Sequence, residues 1–381
     1  MRGRVQGFQG DRLAEARRVR GLASNSLAEL VGVSPQTISN YENGRGGPSA
    51  ETFDRIGAVL NLPATFFLDE SDDVDDSAAQ VFYRSMSAAT KQARDRADGK
   101  LSWLHRIVHY IEQSVALPDV NLPQSQSSWQ DLQLADIEEL ATEVRRAWQV
   151  PSGPIGNLVA AAENHGIVCA RDSLGAATLE ALSQPRPERP VVLVGTDKGT
   201  AVRWRFDVAH EIGHLIMHRD VSKAVLRNSA QFKSIEQQAH RFAGALLLPI
   251  DEFADDLVSL TPEALKAIKP KWGASVALMI RRLSDGNIIS DEQYRSLMIR
   301  LSRRGWRKHE PYDDDLPVEQ PALLRSAVEL ILRENVRTPH QIVHDLRLAA
   351  TDIEGLCNLE SGTLDEHAVE RMADVIQLRP T

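Results

Sequence analysis

The segment His210-Glu211-Ile212-Gly213-His214 constrains this chain more than any other feature of its sequence. Two histidines four residues apart leave the same face of an α-helix, one turn from each other. Two neutral imidazole nitrogens placed in this way can hold one Zn²⁺ at roughly 2.0–2.1 Å. Glu211 lies beside them, where its carboxylate can accept a proton from a water that the ion has made more acidic. The motif therefore predicts a helix that carries a zinc site, with Glu211 as the general base.

A five-residue match of this kind arises by chance in roughly one chain of this size in a hundred, so the site needs a third ligand to be credible. Residues 236–249 form a second segment with apolar residues at helical spacing. Glu236 and His240 share one face of this segment. Either side chain is therefore a candidate for the third ligand.

Short apolar runs precede the motif. Residues 166–170 and 190–195 are bounded by turn residues and predict two strands. In residues 201–206, Val202, Trp204 and Phe206 alternate with polar residues, which predicts a third strand. We therefore expect a small sheet immediately before the zinc-binding helix.

Together the two helical segments resemble the ImmA/IrrE family of metallopeptidases. Members of that family pair a His-Glu-x-x-His helix with a second helix of the form Glu-x-x-Ala-x-x-Phe-Ala, which is followed by Leu-Leu-x-Pro; residues 236–249 match that form. The resemblance covers residues 150–250. It implies a Zn²⁺ cofactor held by His210, His214 and Glu236, with Glu211 as the general base.

Two further histidines lie close to these positions in the sequence. His240 competes with Glu236 for the third-ligand role, but it falls where the family pattern tends to have Asn or His. We favour a supporting or structural role for it. His218 continues the face of the first helix, and we expect it to pack or to form a hydrogen bond near the site.

The N-terminal region has the pattern of a helix-turn-helix. Ser34 is a good N-cap, and Pro35 suits the first helical position because its missing N–H leaves no bond unmade there. Ile38 and Tyr41 supply the buried face of the helix that follows, and Asn43-Gly44 ends it. The outward-facing residues of this helix are polar and can bond bases or phosphates: Gln36, Thr37, Ser39 and Asn40.

Residues 7–68 resemble the XRE (lambda-repressor-like) family of DNA-binding domains. The resemblance implies that Gln36, Thr37 and Asn40 face the major groove of double-stranded DNA, with Asn43 and Arg45 near the phosphates. The family usually has Thr-Gln at the start of the second helix, whereas this chain has Ala23-Ser24. A phosphate contact at that point is therefore weaker here or is made by Ser24. Domains of this family often read paired half-sites, which is compatible with a homodimer.

Charge and composition fit a cytoplasmic protein with a DNA-binding head. Residues 1–68 hold eight Arg and six acidic residues, although the whole chain has a net charge of −9. Residues 69–76 then contain six acids, which is typical of a solvated linker. No apolar run is long enough for a membrane span, and no signal peptide is apparent, so no membrane partner is expected. The 2 cysteines are far apart in the sequence and predict no disulfide framework.

The expected fold class is α+β and mostly α. A five-helix lambda-repressor-like domain is followed by a zincin-like peptidase domain of helices and a small sheet, and then by a helical C-terminal region. The expected divisions are residues 1–68 for the DNA-binding domain, 69–150 for an acidic linker and helical bridge, 151–255 for the peptidase domain and 256–381 for the C-terminal region. Within the last of these, residues 342–356 repeat the hydrophobic spacing of the helix-turn-helix, which chance also explains; acidic Asp352 and Glu354 favour a protein contact over DNA if the repeat is real.

These features predict a DNA-binding transcriptional regulator that carries a zinc-dependent endopeptidase of the HEXXH type. The family resemblance implies that it cleaves a partner protein, such as an XRE-type repressor. The alternative is a non-catalytic XRE transcription factor whose zincin-like body is a sensor or a protein-interaction module. A third reading is self-processing, with a cut in the acidic run between the two parts.

Overall fold

The computed structural model describes residues 4–68, 81–83, 90–176, 178–186, 188–197 and 199–365. Its N-terminal unit consists of α1 (Gly10–Val19), α2 (Ser24–Val31), α3 (Pro35–Glu42), α4 (Ala50–Leu60) and the 3-10 helix Ala64–Leu68. The expected helical N-terminal unit is therefore confirmed, with the fifth element a 3-10 helix. The acidic run at 69–76 lies outside the described residues.

Helices α2 and α3 meet at the tight turn that the sequence predicts. Gly32 ends α2 in the left-handed region, with φ of 74°. The side chain of Ser34 accepts a hydrogen bond from the main-chain N–H of Thr37, and Pro35 is the first residue of α3. Ile38 is fully buried, so the opposite face of α3 is left toward solvent.

A small mixed sheet and three helices form the middle of the chain. The elements are β1 (Phe82–Tyr83), α5 (Lys91–Glu112), α6 (Leu134–Ala147), α7 (Leu158–Asn164), β2 (Val168–Asp172), β3 (Ala181–Gln184) and β4 (Val191–Gly195). The strand order is β1-β3-β4-β2; β2 and β4 are parallel, whereas β3 is antiparallel to both β4 and β1. The strands predicted at 166–170 and 190–195 are confirmed as β2 and β4. Strand β3 was not predicted, because only four residues form it and two of them are the polar Ser183 and Gln184.

The strand predicted at 201–206 is wrong. These residues are the first turns of α8 (Ala201–Met217), which continues without a break through the His-Glu-x-x-His motif. Thr200 caps this helix by accepting a hydrogen bond from the main-chain N–H of Arg203. The first turns are packed on several sides, since even Arg205 is buried. A helix that is buried on several sides has no 3.6-residue alternation of apolar and polar residues. Three apolar residues at alternate positions then give the sequence pattern that is typical of a strand.

From residue 199 to residue 365 the chain is helical, as expected. It contains α9 (Lys223–Arg227), α10 (Ser229–Leu247), α11 (Ile250–Asp255), α12 (Pro262–Trp272), α13 (Val276–Asp285), α14 (Asp291–Arg303), α15 (Leu323–Arg333), α16 (Pro339–Leu346) and α17 (Ala350–Cys357). Among the described residues, no helix combines the length and the apolar character needed to cross a membrane.

The sheet separates two hydrophobic cores. One core contains the N-terminal unit, α5 and helices α15 to α17, and the other contains α6 to α8 together with α10 and α12 to α14. Because side chains alternate along a strand, Leu182 of β3 packs into the first core and Ala181 into the second. The His-Glu-x-x-His motif and the helix-turn-helix therefore lie on opposite faces of the same sheet.

The helix-turn-helix unit is docked on the rest of the chain. Trp103 of α5 donates its indole N–H to Glu15 of α1 at 2.7 Å. Arg20 forms a two-pronged ion pair with Asp352 of α17, at 2.7 and 2.6 Å. Residues 342–356 thus fold as two helices joined by a short turn, and one of their acidic residues contacts the protein's own N-terminal unit. The division of the chain at residue 68 stays a prediction.

Glu163 of α7 gives the fold a measurable pH dependence. Burial raises the pKa of its carboxyl to about 7, although hydrogen bonds from the backbone of Ala322 and Leu323 oppose this rise. In the unfolded chain the carboxyl titrates near ~4.3, so folding takes up a proton between these two pH values. The free energy of unfolding should therefore fall as the pH rises through this window.

We expect the difference in unfolding free energy between the wild type and Glu163→Gln to change by about 3 kcal/mol between pH 4.5 and pH 8. The glutamine side chain of the variant cannot ionise, but its amide oxygen can still accept a hydrogen bond from the main-chain N–H of Ala322. Urea denaturation at several pH values measures this difference and cancels the other titrating groups. Two parallel stability profiles would contradict the assignment.

Candidate metal centre and DNA-reading helix

Helices α8 and α10 cross closely at Gly213. A Cβ atom at Gly213 would lie only 3.0 Å from the ring of Phe242 on α10, so a larger residue would push the two helices apart. Phe242 is itself fully buried. The close approach brings Glu236 of α10 to the face of α8 that carries His210 and His214.

Three side chains meet at this crossing. The Nε2 atoms of His210 and His214 lie 3.0 Å apart. The carboxylate of Glu236 lies 3.5 Å from Nε2 of His210 and 3.2 Å from Nε2 of His214. Four bonds of about 2.0–2.1 Å around one tetrahedral zinc ion would space neighbouring ligand atoms at roughly 3.3 Å. The His210, His214 and Glu236 group therefore fits a single metal ion.

Burial tunes the charge of this group. The exposed fractions of His210 and His214 are 0% and 1%. Burial holds the pKa of His210 well below its usual value, so the ring is neutral near pH 7 and offers a lone pair. Burial alone would raise the pKa of Glu236, but hydrogen bonds with the two histidines hold it well below its usual value. Glu236 is thus anionic, which is the form that binds a cation.

Glu211 lies on the same helix, fully buried, and one of its carboxylate oxygens accepts a hydrogen bond from the hydroxyl of Ser183 at 2.5 Å. Ser183 belongs to β3, the strand that sequence reasoning missed, and no motif in the sequence points to it. Its hydroxyl fixes the orientation of the carboxylate beside the three candidate ligands.

A chain of hydrogen bonds sets the tautomer of His214. The backbone oxygen of Trp129 can only accept, and it lies 2.7 Å from Nε2 of Gln238. The side-chain oxygen of Gln238 therefore faces His218, whose Nε2 donates to it at 2.9 Å. Nδ1 of His218 is then an acceptor, and Nδ1 of His214 donates to it at 2.9 Å. This leaves the lone pair of His214 on Nε2, the atom that faces Glu236.

The two histidines with open roles are thus placed differently. His218 is fully buried and forms the hydrogen bond near the site that we expected. His240 is exposed; its ring lies 4.6 Å from the ring of His210, and its Nδ1 bonds the backbone oxygen of Glu236 at 2.7 Å. This arrangement supports Glu236 as the third ligand, which stays a prediction.

The candidate DNA-reading residues lie on the outer face of α3 or just after it. Gln36 is exposed and donates from its side chain to Asn40 at 3.1 Å, so the two form a polar pair one turn apart. Asn43 bonds the backbone oxygen of Ser39 at 2.6 Å. The remaining two candidates are the half-buried Thr37, whose hydroxyl meets that of Ser34 at 2.8 Å, and the exposed Arg45. A polar, outward-facing helix of this kind can enter a major groove.

Two regions of the chain match known protein families. Residues 162–284 match the IrrE N-terminal-like domain (Peptidase_M78), and residues 13–67 match a family described as helix-turn-helix (HTH_3). The fold and the site thus define a helix-turn-helix protein with a His-His-Glu group of the zincin type. The chain joins an XRE-type helix-turn-helix domain to an IrrE N-terminal-like domain of the M78 peptidase family, as both resemblances predicted.

The curated relatives match a short part of the chain. The HTH-type transcriptional regulator RghRB of Bacillus subtilis (strain 168) is 47% identical over 55 residues, which are 14% of this chain and 40% of that protein. HTH-type transcriptional regulators of Sinorhizobium medicae (strain WSM419) and Rhizobium meliloti (strain 1021) are 31% identical over 62 residues, or 16% of this chain and 45% of each relative. The match therefore spans less than half the length of these relatives.

Among solved structures, Bacillus thuringiensis PlcR in complex with the peptide PapR7 and DNA aligns with 97% of this chain and 99% of its own chain. The sequence identity is 12% and the TM-score is 0.16, which is too low to support a conclusion about the fold.

We expect His218→Ala to weaken divalent-metal binding by about 10- to 100-fold, because a histidine ligand that loses its hydrogen-bond partner is no longer held in one tautomer and orientation. Competition with a chelator, using Co²⁺ as a spectroscopic probe, measures the affinity. His240→Ala is the matched control and should change it less. If His240→Ala were the more damaging variant, Glu236 would lose its place as third ligand to His240.

Proposed function

We propose that this protein is a DNA-binding transcriptional regulator that is also a zinc-dependent endopeptidase, and that it cleaves a repressor or a similar partner protein. The observation that carries the proposal is the meeting of His210, His214 and Glu236 on two crossing helices, with Glu211 directly beside them. Two imidazoles and one carboxylate are the protein ligands of many catalytic zinc sites, which keep a fourth position for water or substrate.

A zinc ion held by these three residues would act as a Lewis acid on a peptide carbonyl and would lower the pKa of nearby water. Glu211 accepts a proton from the attacking water as the new C–O bond forms. It then passes that proton to the nitrogen that leaves as the C–N bond breaks. Ser183 keeps the Glu211 carboxylate in one orientation through the 2.5 Å hydrogen bond.

The non-catalytic alternative rests on the burial of the site. The exposed fractions of His210 and Glu211 are 0%, so a polypeptide reaches them only after a neighbouring segment moves. A metal at this largely buried site could stabilise the body of a sensor or of a protein-interaction module. The two functions differ in whether any protein is cut when Glu211 is intact.

The structure bears on self-processing as well. Residues 69–80 lie outside the described part of the chain, but the units on either side of them share one hydrophobic core. Arg20 and Asp352 also tie the N-terminal unit to α17. A cut in the acidic run would therefore leave the helix-turn-helix docked on α5, and we do not favour self-cleavage as a way to release it.

We expect Glu211→Gln to abolish cleavage of a partner repressor and to leave zinc stoichiometry at one ion per chain. Gln cannot take up the proton from water, and Glu211 is not one of the three ligands. Glu236→Gln is the matched variant, and it should lose both zinc and cleavage because it removes a ligand charge. Mass spectrometry of incubated repressors, with and without a chelator, measures cleavage. A wild-type protein that binds zinc and cuts none of the XRE-type repressors of its own cell would favour the non-catalytic function.

We expect Gln36→Ala and Asn40→Ala each to cost about 1–3 kcal/mol of discrimination at one base position, because amide side chains read adenine edges. Arg45→Ala should weaken binding to all DNA sequences. It should also reduce the slope of the logarithm of the binding constant against the logarithm of the salt concentration by about 1. Operators selected from a random duplex library, followed by anisotropy titrations at several salt concentrations, measure both effects. Glu211→Gln serves as the control with unchanged DNA binding. Unaltered affinity and specificity in all three α3-region variants would remove the DNA-binding half of the proposal.

A further inference from the structure

Strand β1 covers the outer edge of β3 next to the candidate general base. Phe82 pairs with Ser183 and Tyr83 pairs with Leu182, in antiparallel register. In the strand order β1-β3-β4-β2, β3 would be the last strand on this side if β1 were removed. At Leu182 and Ser183, the outer edge of β3 is therefore paired with a segment of the same chain.

The register places β1 close to the chemistry. Ser183 lies on the face of β3 that packs against α8, and its hydroxyl meets the Glu211 carboxylate at 2.5 Å. Paired strands lie about 4.8 Å apart. The backbone of Phe82 is consequently one strand spacing from the residue that orients the candidate general base.

An extended peptide that joins a sheet edge uses the same main-chain groups that β1 uses now. Such strand addition draws its affinity from main-chain hydrogen bonds, whatever the sequence of the peptide. A peptide on the edge of β3 and strand β1 therefore exclude each other. The exposed fractions of His210 and Glu211 are both 0%, so a polypeptide cannot reach the candidate general base in the observed arrangement, although the side chain of Glu236 is 15% exposed.

The described pairing between β1 and β3 leaves part of the edge of β3 for a longer segment. Within the described residues, two residues of β1 pair with β3, whereas β3 itself has four. A longer extended segment can form more ladder bonds on the same edge than β1 does. When such a segment displaces β1, a longer set of main-chain hydrogen bonds replaces a shorter one on the same edge of β3.

We propose that β1 is a built-in competitor for the peptide-binding edge of β3, which an extended segment of the substrate protein must displace before the site can act. This inference rests on the proposed function, because it concerns the same candidate peptidase site. It names β1 as the segment that occupies the edge of β3 and an extended polypeptide as the class of substrate. The substrate is an unfolded or loop segment that can form a strand. Only molecules in which β1 is unpaired can bind this segment. The apparent affinity is therefore the intrinsic affinity multiplied by the unpaired fraction.

The test measures peptide binding and needs no turnover. The probe is a fluorescein-labelled peptide with this chain's own residues 78–86, which contain the sequence of β1. All proteins carry Glu211→Gln so that the probe stays intact. Neighbouring residues of an antiparallel strand point their N–H groups to opposite sides, so one of Phe82→Pro and Tyr83→Pro removes a ladder donor. The other fixes φ away from the extended value of a paired strand, so both variants weaken the paired state of β1.

We expect the two proline variants to bind the peptide at least tenfold more tightly than the protein that carries Glu211→Gln alone. Leu134→Pro is the matched control. Leu134 is exposed and is the first residue of α6, where proline is tolerated, and we expect no change in affinity. Thermal melts of each protein establish that it is folded. Folded proline variants that bind the peptide no more tightly than the control would overturn the proposal.

A disulfide between the paired strands gives the opposite perturbation. Tyr83→Cys with Leu182→Cys places two thiols on directly opposed residues, at a separation that a disulfide can close. The natural Cys169 and Cys357 are buried and do not compete for this pairing. We expect no detectable peptide binding in the oxidised protein and recovery of the parent affinity after reduction.

Failure of this inference is distinguishable from failure of the proposed function. A disulfide that does not form in the folded double variant, or equal peptide binding in its oxidised and reduced states, contradicts the role of β1 even if the wild type cleaves a repressor. Tighter binding in the proline variants together with reversible loss in the double cysteine variant supports it, even if no cleavage is found.

Discussion

The packing of α8 against α10 is the contact on which the rest of the site depends. It is possible because residue 213 is glycine, whose missing side chain leaves room for the ring of Phe242. The contact brings a carboxylate from α10 to two histidines of α8; the histidines are removed from water, and the carboxylate stays 15% exposed. A neutral, buried imidazole offers its lone pair to a metal, and an anionic Glu236 supplies the opposite charge. One steric relation therefore produces both the geometry and the electrostatics of the candidate centre.

The sheet beside α8 links this centre to the helix-turn-helix. Trp103 of α5 donates to Glu15 in the N-terminal unit, and His105 on the same helix bonds Gln184 of β3 at 2.6 Å. The next residue back along β3 is Ser183, which holds the candidate general base. The two functional halves are thus joined by buried contacts on both faces of one small sheet, and not only by the acidic run between them. The same strand carries β1 on its outer edge, so β3 is where the three parts meet.

Sequence reasoning succeeded where a function needs residues at a fixed local spacing. Ser34 and Pro35 start a helix through their own backbone preferences, and the structure confirms the cap. Reasoning failed where burial on several sides removes the periodic signal, as at residues 201–206, which are the start of α8. It also missed β3, because a four-residue strand with two polar members has no pattern of its own. The polar residues are explained only by their partners on α8 and α5.

The sequence by itself determined which chemical groups stand at fixed local spacings in this protein: a pair of histidines one helical turn apart, a glutamate beside them and a polar helix near the N-terminus. Those features follow from short-range geometry, which the order of residues specifies directly. Only the tertiary structure decided which distant groups complete them. Ser183, Gln238 and strand β1 come from separate parts of the chain, and their roles arise from long-range packing and strand register, which no local pattern contains.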